Sequence, residues 1–182
     1  MDAGPSRSPA SPYGERVHRV RTALPSEAVV LTDLERAASG TALGHVFGAV
    51  PFPYDDVLAR WALVLGDSAT TVLLDEEDGV AVGYAAYGDG WLHHLGVLPE
   101  HWGSGRAQAL HACVLAAAAA AGAPTSYLWV LVDNHRARAF YRRLDWRDTD
   151  LIQAESFAPY PDRMQMTRSL DSLTPGGMTP WT

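Results

Sequence analysis

The chain has 182 residues, of which 47% are hydrophobic, and its formal net charge is -7. This length and composition suit one domain with a core of its own. The acidic balance leaves no surplus of basic side chains to neutralise phosphates, which argues against nucleic acid as a partner. No apolar run approaches the roughly 18 residues of a membrane span, so we expect no membrane partner and a cytoplasmic protein.

Composition also divides the chain into three parts. Residues 1–15 mix Pro, Ser and Gly with almost no large apolar side chains, which predicts a disordered lead. We expect a folded domain over residues 16–170 and a flexible, Gly- and Pro-rich tail over residues 171–182. The single cysteine, Cys113, excludes an intramolecular disulfide, and its apolar helical surroundings predict a small buried side chain rather than a nucleophile.

The first predicted elements are a strand and two helices. Residues 17–22 alternate apolar and polar side chains, as in a half-buried strand. Pro25 and Ser26 then open a helix that ends near Gly40. Residues 46–54, rich in Phe and Pro, fit neither period and predict a loop that would line a pocket, before a second helix over residues 55–66.

Strands follow, and then helices alternate with strands. Residues 70–75 and 80–87 predict a hairpin, and Trp91–Val97 predicts a third strand after a glycine turn. The next helix is predicted over residues 105–121, with Leu110, Val114, Ala117 and Ala121 along its buried side. The remaining elements are a strand at 126–132, a helix at 134–144, and strands at 146–150 and 163–169.

The most informative segment, V-L-P-E-H-W-G-S-G-R-A, covers residues 97–107 and joins a strand end, a glycine turn and a helix start. Glycines there let the backbone approach a ligand closely. The unpaired N–H groups of the first helical turn favour an anion such as a pyrophosphate. On its own this pattern is weak, because a glycine turn without a ligand has the same sequence.

A second segment, N-H-R-A-R-A-F-Y-R-R-L-D-W, follows the next strand, and the two together resemble the GNAT superfamily of CoA-dependent acyltransferases over residues 17–169. In that family the glycine turn is usually Q/R-x-x-G-x-G/A, which falls here on Trp102, Gly103, Ser104, Gly105, Arg106 and Ala107. The second signature, an Asn followed seven positions later by a Tyr, is matched by Asn134 and Tyr141.

The resemblance implies an α/β fold with a mixed, mostly antiparallel central sheet of six to seven strands. This sheet would be splayed between strands 4 and 5 and flanked by about four helices. The resemblance also implies acetyl-CoA as cosubstrate and no metal. The pyrophosphate of CoA would rest on the backbone N–H groups of Gly103 to Gln108, and the pantetheine arm would pair with Leu95, Gly96 and Val97. Asn134 would hold the arm from the other side, and the Val97 N–H would polarise the thioester carbonyl.

Acyl transfer to an amine also needs a proton acceptor and a proton donor. Tyr141 resembles the family's acid, although a packing role is the alternative. Strict strand alternation puts His93 and His94 on opposite faces. His93 resembles the position from which family members direct a Glu or His toward the acceptor amine. His94 as base, no dedicated base, and a purely structural role for either histidine remain open.

The sequence departs from the family pattern at several places. Trp102 stands where Gln or Arg is commonest, so we expect CoA to bind more weakly or in a different position. Asp145 and Trp146 replace the commoner Gly and Phe. Trp129 stands where some relatives carry a catalytic Glu, which strengthens the case for His93.

The acceptor pocket is expected from residues 44–60 and the last strands. Phe47, Phe52 and Tyr54 would form an aromatic wall, with His94 and Trp129 also facing the acceptor. Asp55 and Asp56 would meet an ammonium group, but at a predicted helix start carboxylates also favour the helix dipole and cap exposed N–H groups.

The leading hypothesis is transfer of an acetyl group from acetyl-CoA to the primary amine of a small molecule, such as a cationic metabolite or antibiotic, by direct attack in a ternary complex. Alternatives are acetylation of a protein N-terminus or lysine, and a non-catalytic acyl-CoA-binding sensor or partner-binding module. A doubly wound nucleotide-binding enzyme fits poorly, because the glycine turn comes after several strands rather than after the first. The sequence leaves open the acceptor, the acyl length and the oligomeric state, a homodimer included.

Overall fold

The computed structural model describes residues 17–48 and 50–171. The predicted lead over residues 1–15 lies outside them, as does the predicted tail apart from Asp171. The described residues form seven strands: β1 His18–Thr22, β2 Thr71–Glu77, β3 Val80–Gly88, β4 Trp91–Val97, β5 Thr125–Leu131, β6 Arg147–Ala154 and β7 Asp162–Ser169. The α-helices of the described residues are α1 Ala28–Phe47, α2 Tyr54–Gly66, α3 Arg106–Ala120 and α4 His135–Arg143. Short 3-10 helices occupy Pro25–Glu27 and Pro99–His101.

The strands form one sheet in the order β1-β2-β3-β4-β5-β7-β6. Every neighbouring pair is antiparallel except β4 and β5, which run parallel. These two strands pair only through Trp91 with Tyr127 and Leu92 with Leu128, near the start of β4. Beyond that point they no longer pair with each other, so the sheet is splayed there. The predicted fold is confirmed, including its split between strands 4 and 5.

The sheet is covered on both faces. On one face, α3 and α4 pack over a core that includes Leu92, Leu110 and Leu128, each at most 2% exposed. On the other face, α1 and α2 bury a second cluster around Leu31 and Trp61, both fully buried. Apolar side chains on both surfaces of the central strands therefore fix the sheet between two helical layers.

A β-bulge in β4 changes the predicted arrangement of its side chains. Ala86 of β3 lies opposite His94, but its neighbour Tyr87 lies opposite Leu92, so His93 is an extra residue. The bulge brings Leu92 onto the same face as Leu95, in the α3–α4 core, while His94 packs on Trp61 on the other face. Strict alternation, which would place Leu92 on the same face as His94, therefore does not hold at this point of β4.

The α1 helix also runs further than predicted. It passes through Gly40 and ends only at Phe47, where Gly48 adopts a φ of 52°. A helical glycine costs only about 1 kcal/mol relative to alanine, so Gly40 alone does not end the helix. A glycine with positive φ does, because few other residues adopt that conformation without strain.

Two predictions about α3 fail for one reason, which is the direction the helix faces. Cys113 is exposed rather than buried, and Ala121 lies exposed beyond the helix end. Leu110 and Val114 are buried as predicted, together with His111, Leu115, Ala118 and Ala119, whereas Ala117 is half-buried. In a helix so rich in alanine, hydrophobicity hardly differs between the sides, so the sequence does not reveal which side is buried.

Candidate functional site

A cleft of about 1600 Å³ opens where β4 and β5 separate, which exceeds the roughly 300–1000 Å³ typical of a single small-molecule pocket. It brings together most of the predicted site residues. These are Phe47, Phe52, His93, His94, Leu95, Gly96, Val97, Trp102, Gly103, Gly105, Arg106, Ala107, Gln108, Trp129, Asn134 and Tyr141. Ser104, Tyr54 and Asp55 do not line the cleft.

The glycine turn before α3 presents backbone N–H groups without acceptors. Gly103 and Gly105 have φ values of 79° and 86°, and a Cβ on either would meet no atom within 4 Å. The Ser104 N–H makes a long hydrogen bond of 3.4 Å to the His101 carbonyl. Among the described residues, no acceptor binds the N–H groups of Gly103, Gly105, Arg106, Ala107 and Gln108. Such a row of donors at a helix start is suited to an anion.

The side chain of Arg106 points away from this row of donors. It is 8% exposed and donates to Asp75 at 3.0 Å and to Glu77 at 2.9 Å, both on β2. Asp75 is fully buried and also contacts His18 at 2.9 Å. The guanidinium therefore anchors the start of α3 to the sheet, and Arg106 faces the cleft with its backbone.

Trp102 connects the turn to the end of β4. Its indole N–H donates to the Val97 carbonyl at 2.9 Å, and its ring lies under the Arg136 guanidinium, 3.7 Å from the ring centroid. The sequence did not indicate Arg136 as a site residue. Its approach depends on α4 folding back toward the turn, 34 positions earlier in the chain.

The second half of β4 offers donors to the gap between the strands. The Leu98 N–H donates to Val82 of β3 at 2.9 Å. Because the polar groups of successive residues in an antiparallel ladder point to opposite sides, those of Val97 and Leu95 face away from β3. The bond from Trp102 to the Val97 carbonyl agrees with this direction. The N–H groups of Leu95 and Val97 thus face the gap, where β5 no longer pairs with β4.

Tyr141, in α4, is 8% exposed and lies in a cluster of rings. Its ring centroid is 5.8 Å from that of Trp146 and 5.3 Å from that of Phe140. Burial raises the pKa of its hydroxyl above the ordinary value of 10. With its pKa above 10, the hydroxyl keeps its proton at neutral pH. No acceptor among the described residues binds that proton, so it is available to donate.

His111 of α3 supports this cluster from behind. Its Nε2 accepts the Trp146 indole N–H at 2.8 Å, which leaves the imidazole proton on Nδ1. Burial lowers the pKa of His111 to about 4, with the positive charge of Arg168 acting in the same direction. The neutral ring is therefore a stable acceptor, and no sequence pattern indicated that His111 and Trp146 would pair.

The two neighbouring histidines of β4 have different surroundings. His94 packs against Trp61, with the ring centroids 4.9 Å apart and the ring planes tilted by 50°. Burial, assisted by the charge of Arg60, lowers the pKa of His94 to about 3. His93, at the bulge, is exposed; partial burial lowers its pKa, while Asp89 and Asp67 oppose that change. Both rings are neutral at pH 7, and His93 is the more basic.

Asn134 has a structural role that the sequence signature did not reveal. Its side-chain oxygen accepts the Ala137 N–H at 3.1 Å and so caps the start of α4. The side-chain amide nitrogen has no protein partner among the described residues. It remains available as a donor on the β5 side of the cleft.

The wall opposite the glycine turn is aromatic. Phe47 of α1 and Phe157 of the β6–β7 loop both line the cleft, with their ring centroids 6.0 Å apart. Tyr54 instead packs on the outside, with its ring 5.3 Å from the Arg36 guanidinium. Asp55 lies exposed in the first turn of α2. Its neighbour Asp56 does line the cleft.

Sequence analysis missed a polar group on this side of the cleft. Arg60 forms an ion pair with Glu35, which also accepts the Trp61 indole N–H at 2.8 Å. The ring of Tyr84, on β3, lies against Gly96 of β4, and a Cβ on Gly96 would come within 2.5 Å of that ring. A glycine in mid-strand often marks a close approach of this kind, so Gly96 was the one sequence feature that could have indicated this contact.

Within the described ranges, no helix is both long and apolar enough to cross a membrane. The same part of the chain holds no group of three or more His, Cys, Asp or Glu side chains placed to bind a metal ion.

Known proteins resemble this chain in sequence and in structure. An uncharacterized N-acetyltransferase of Mycobacterium tuberculosis is 38% identical over 94 residues, which cover 49% of this chain and 60% of the relative. A protein of the GNAT family from Desulfovibrio desulfuricans superposes with a TM-score of 0.68 at 18% identity, covering 85% of this chain and 99% of its own. An acetyltransferase structure from Salmonella typhimurium, solved with acetyl-CoA, gives a TM-score of 0.63 at 21% identity, covering 85% and 95%.

The chain thus spans about three-fifths of the length of the curated relative, and the structural likenesses show the shared fold. The sequence model of the acetyltransferase (GNAT) family matches residues 32–146, which is more than half of the chain. Together with the split sheet and the glycine turn, this match shows that the chain belongs to the acetyltransferase (GNAT) family.

Proposed function

We propose that this protein transfers an acetyl group from acetyl-CoA to the primary amine of a small molecule, by direct attack within a ternary complex. The observation that carries the proposal is the continuity of two sets of unpaired donors. The N–H groups that open α3 lead directly to the free edge of β4. One extended ligand with an anionic end and an amide-containing arm matches both.

In this proposal the diphosphate of the cofactor binds the N–H groups of Gly103 and of residues 105–108, which have no acceptor among the described residues. The pantetheine arm continues along Leu95 and Val97, which pair with its amides as a strand would. The thioester carbonyl then accepts from the Val97 N–H, a donor held in place before charge develops on the oxygen. The Salmonella relative bound to acetyl-CoA supports this choice of cosubstrate.

The acceptor amine would enter from the α1–α2 face and attack the thioester carbon. A C–N bond forms, the C–S bond breaks, and the electron pair of that bond leaves on sulfur. A bound ammonium first loses one proton to solvent, because only the neutral amine can attack. The nitrogen loses a second proton as the amide forms, and His93 is the proposed acceptor of it because it is the more basic of the two histidines. The departing thiolate gains one proton from Tyr141 on the opposite face.

The acceptor side of the cleft supports a small molecule over a polypeptide. Contact between Phe47 and Phe157 joins α1 to the β6–β7 loop and narrows the path that an extended chain would need. The aromatic walls, which include Trp129 and Phe52, offer apolar surface to the body of the acceptor. Asp56 is the carboxylate on this side without an ion-pair partner among the described residues, and it would attract a protonated amine before reaction.

A panel of amines, assayed by release of thiol from acetyl-CoA, tests the proposal directly. We expect turnover with at least one small primary amine and a product heavier by one acetyl group in mass spectrometry. The chain contains no lysine, so no lysine side chain of its own competes for the acetyl group. Modification of intact proteins alone would replace the proposal with a protein acetyltransferase, and cofactor binding without any turnover would replace it with a binding module.

The donor row predicts a specific effect of Gly105→Ala. Alanine at a φ of 86° is strained by about 1–2 kcal/mol and would rotate the N–H groups that follow it. We expect lower stability together with acetyl-CoA binding weakened about tenfold or more, measured by calorimetry. Gly79→Ala is the matched control, because Gly79 has a φ of 81° and open space around it but lies in the β2–β3 turn. Equal loss of binding in both variants would contradict the role of the turn.

The proposed acid predicts a loss of rate in Tyr141→Phe. Removing one hydroxyl leaves the ring cluster intact, so we expect kcat to fall about a hundredfold with little change in acetyl-CoA affinity. Tyr127→Phe, on β5 and outside the cleft lining, serves as the control and should keep its activity.

The proposed base predicts that His93→Gln also lowers kcat, because glutamine keeps a polar side chain but cannot accept the proton. Unchanged turnover in both Tyr141→Phe and His93→Gln would overturn the assigned roles.

A further inference from the structure

The stack of Arg136 on Trp102 joins the two sides of the cleft. Trp102 belongs to the segment that follows β4, and Arg136 lies in the first turn of α4, which follows β5. The guanidinium sits 3.7 Å from the indole centroid. This is well inside the roughly 6 Å range of cation–π interactions. The indole N–H is fixed at the same time by the Val97 carbonyl at 2.9 Å, so the ring cannot turn freely.

Two other arginines of the same region, Arg106 and Arg138, are held by protein partners. Arg106 is neutralised by Asp75 and Glu77 behind the turn. Arg138, one helical position beyond Ala137, donates to the Val132 carbonyl at 2.7 Å and lies 3.6 Å from Asp148. Neither brings an uncompensated positive charge to the cleft.

Arg136 differs from both. Arg136 is exposed, and it lines the cleft together with Gly103 and Gly105. Apart from the face of Trp102, it has no hydrogen-bond or ion-pair partner among the described residues. A stacked guanidinium keeps its N–H donors free along its edge, in the plane where a phosphate accepts two parallel hydrogen bonds.

We propose that Arg136, held over the Trp102 ring, binds a phosphate group of the cofactor and determines the affinity of the protein for it. The inference rests on the proposed function, since it assigns one more contact to the cofactor of that reaction. Trp102 occupies the position at which the family signature most often has Gln or Arg. In this chain the charge comes instead from the opposite side of the gap, and the indole serves as its support.

Arg136 and the glycine turn lie on opposite sides of the gap between β4 and β5. A phosphate bound by the N–H groups of the turn and by Arg136 contacts both the β4 side and the β5 side. Binding therefore fixes the width of the gap in which the thioester lies. The cofactor itself would complete the alignment of Val97, on one side, with Tyr141, on the other.

Calorimetric titration of the full chain with acetyl-CoA tests the proposal. Arg136→Gln should weaken binding about tenfold, which corresponds to about 1.4 kcal/mol, with a smaller dependence of Kd on salt than in the wild type. In steady-state assays the KM for acetyl-CoA should rise while kcat stays nearly constant. Arg19→Gln removes an exposed arginine from β1 and should change neither the Kd nor the KM for acetyl-CoA. Wild-type affinity and salt dependence in Arg136→Gln would overturn the proposal.

The role of the indole is tested by combining substitutions. In a Trp102→Leu background, Arg136→Gln should cost less affinity than in the wild type, because the guanidinium has lost its support. Fully additive losses would contradict the stacking part of the proposal. Trp102→Phe, which keeps a ring, and thermal unfolding of each variant control for general damage to the fold.

Further titrations distinguish which phosphate binds Arg136, and whether a failure concerns this inference or the proposed function. Repeating the titrations with 3′-dephospho-acetyl-CoA identifies the phosphate, because an effect of Arg136→Gln that persists belongs to the diphosphate and one that disappears belongs to the 3′-phosphate. Failure of the wild type to bind acetyl-CoA would sink the proposed function itself. Binding by the wild type with no effect of Arg136→Gln would sink only this inference.

Discussion

The early end of the pairing between β4 and β5 is the constraint on which the site depends. After Leu92 the two parallel strands no longer share hydrogen bonds, although both continue through the middle of the sheet. Backbone N–H groups inside a protein need partners, and a central strand with an open edge is an exceptional arrangement. Both helical layers pack normally on either side, so the fold tolerates the opening without losing its cores. The packing of the two helical layers thus holds β4 and β5 apart. An extended ligand in the gap would supply hydrogen-bond partners for the open edge of β4.

Two aromatic departures from the family signatures are each matched by a new contact elsewhere. Trp102, in place of the usual Gln or Arg, donates to Val97 and carries Arg136. Trp146, in place of the commoner Phe, donates to His111, whose pKa is low enough to keep it an acceptor. In both cases a buried or half-buried indole N–H has found a partner, as this group generally does. The first contact shapes the mouth of the cleft, and the second supports the ring cluster that holds Tyr141.

Much of the fold follows from local pattern, and much of the site does not. Strands such as β2, β3 and β4 were predicted within about two residues, because alternation and glycine turns mark their limits. The bulge at His93 is invisible to alternation, since one extra residue shifts every following side chain without any change in composition. The side-chain direction of Arg106 depends on carboxylates about thirty positions earlier, and its approach to them is a product of sheet order. For the same reason the positions of Arg136, Glu35 and Arg60 in the cleft could not be predicted from the sequence. Gly103 and Gly105 could be assigned to the turn, because glycine itself indicates a close approach of the backbone to a ligand.

The decisive experiment on the splayed sheet is a crystal structure of the protein with CoA bound. We expect phosphate oxygens within hydrogen-bond distance of the N–H groups of Gly103 and residues 105–108. It also predicts the pantetheine arm in the gap between β4 and β5, with the sulfur between Val97 and Tyr141. A gap left empty in crystals that hold CoA elsewhere, or one closed by continued pairing of the two strands, would contradict it.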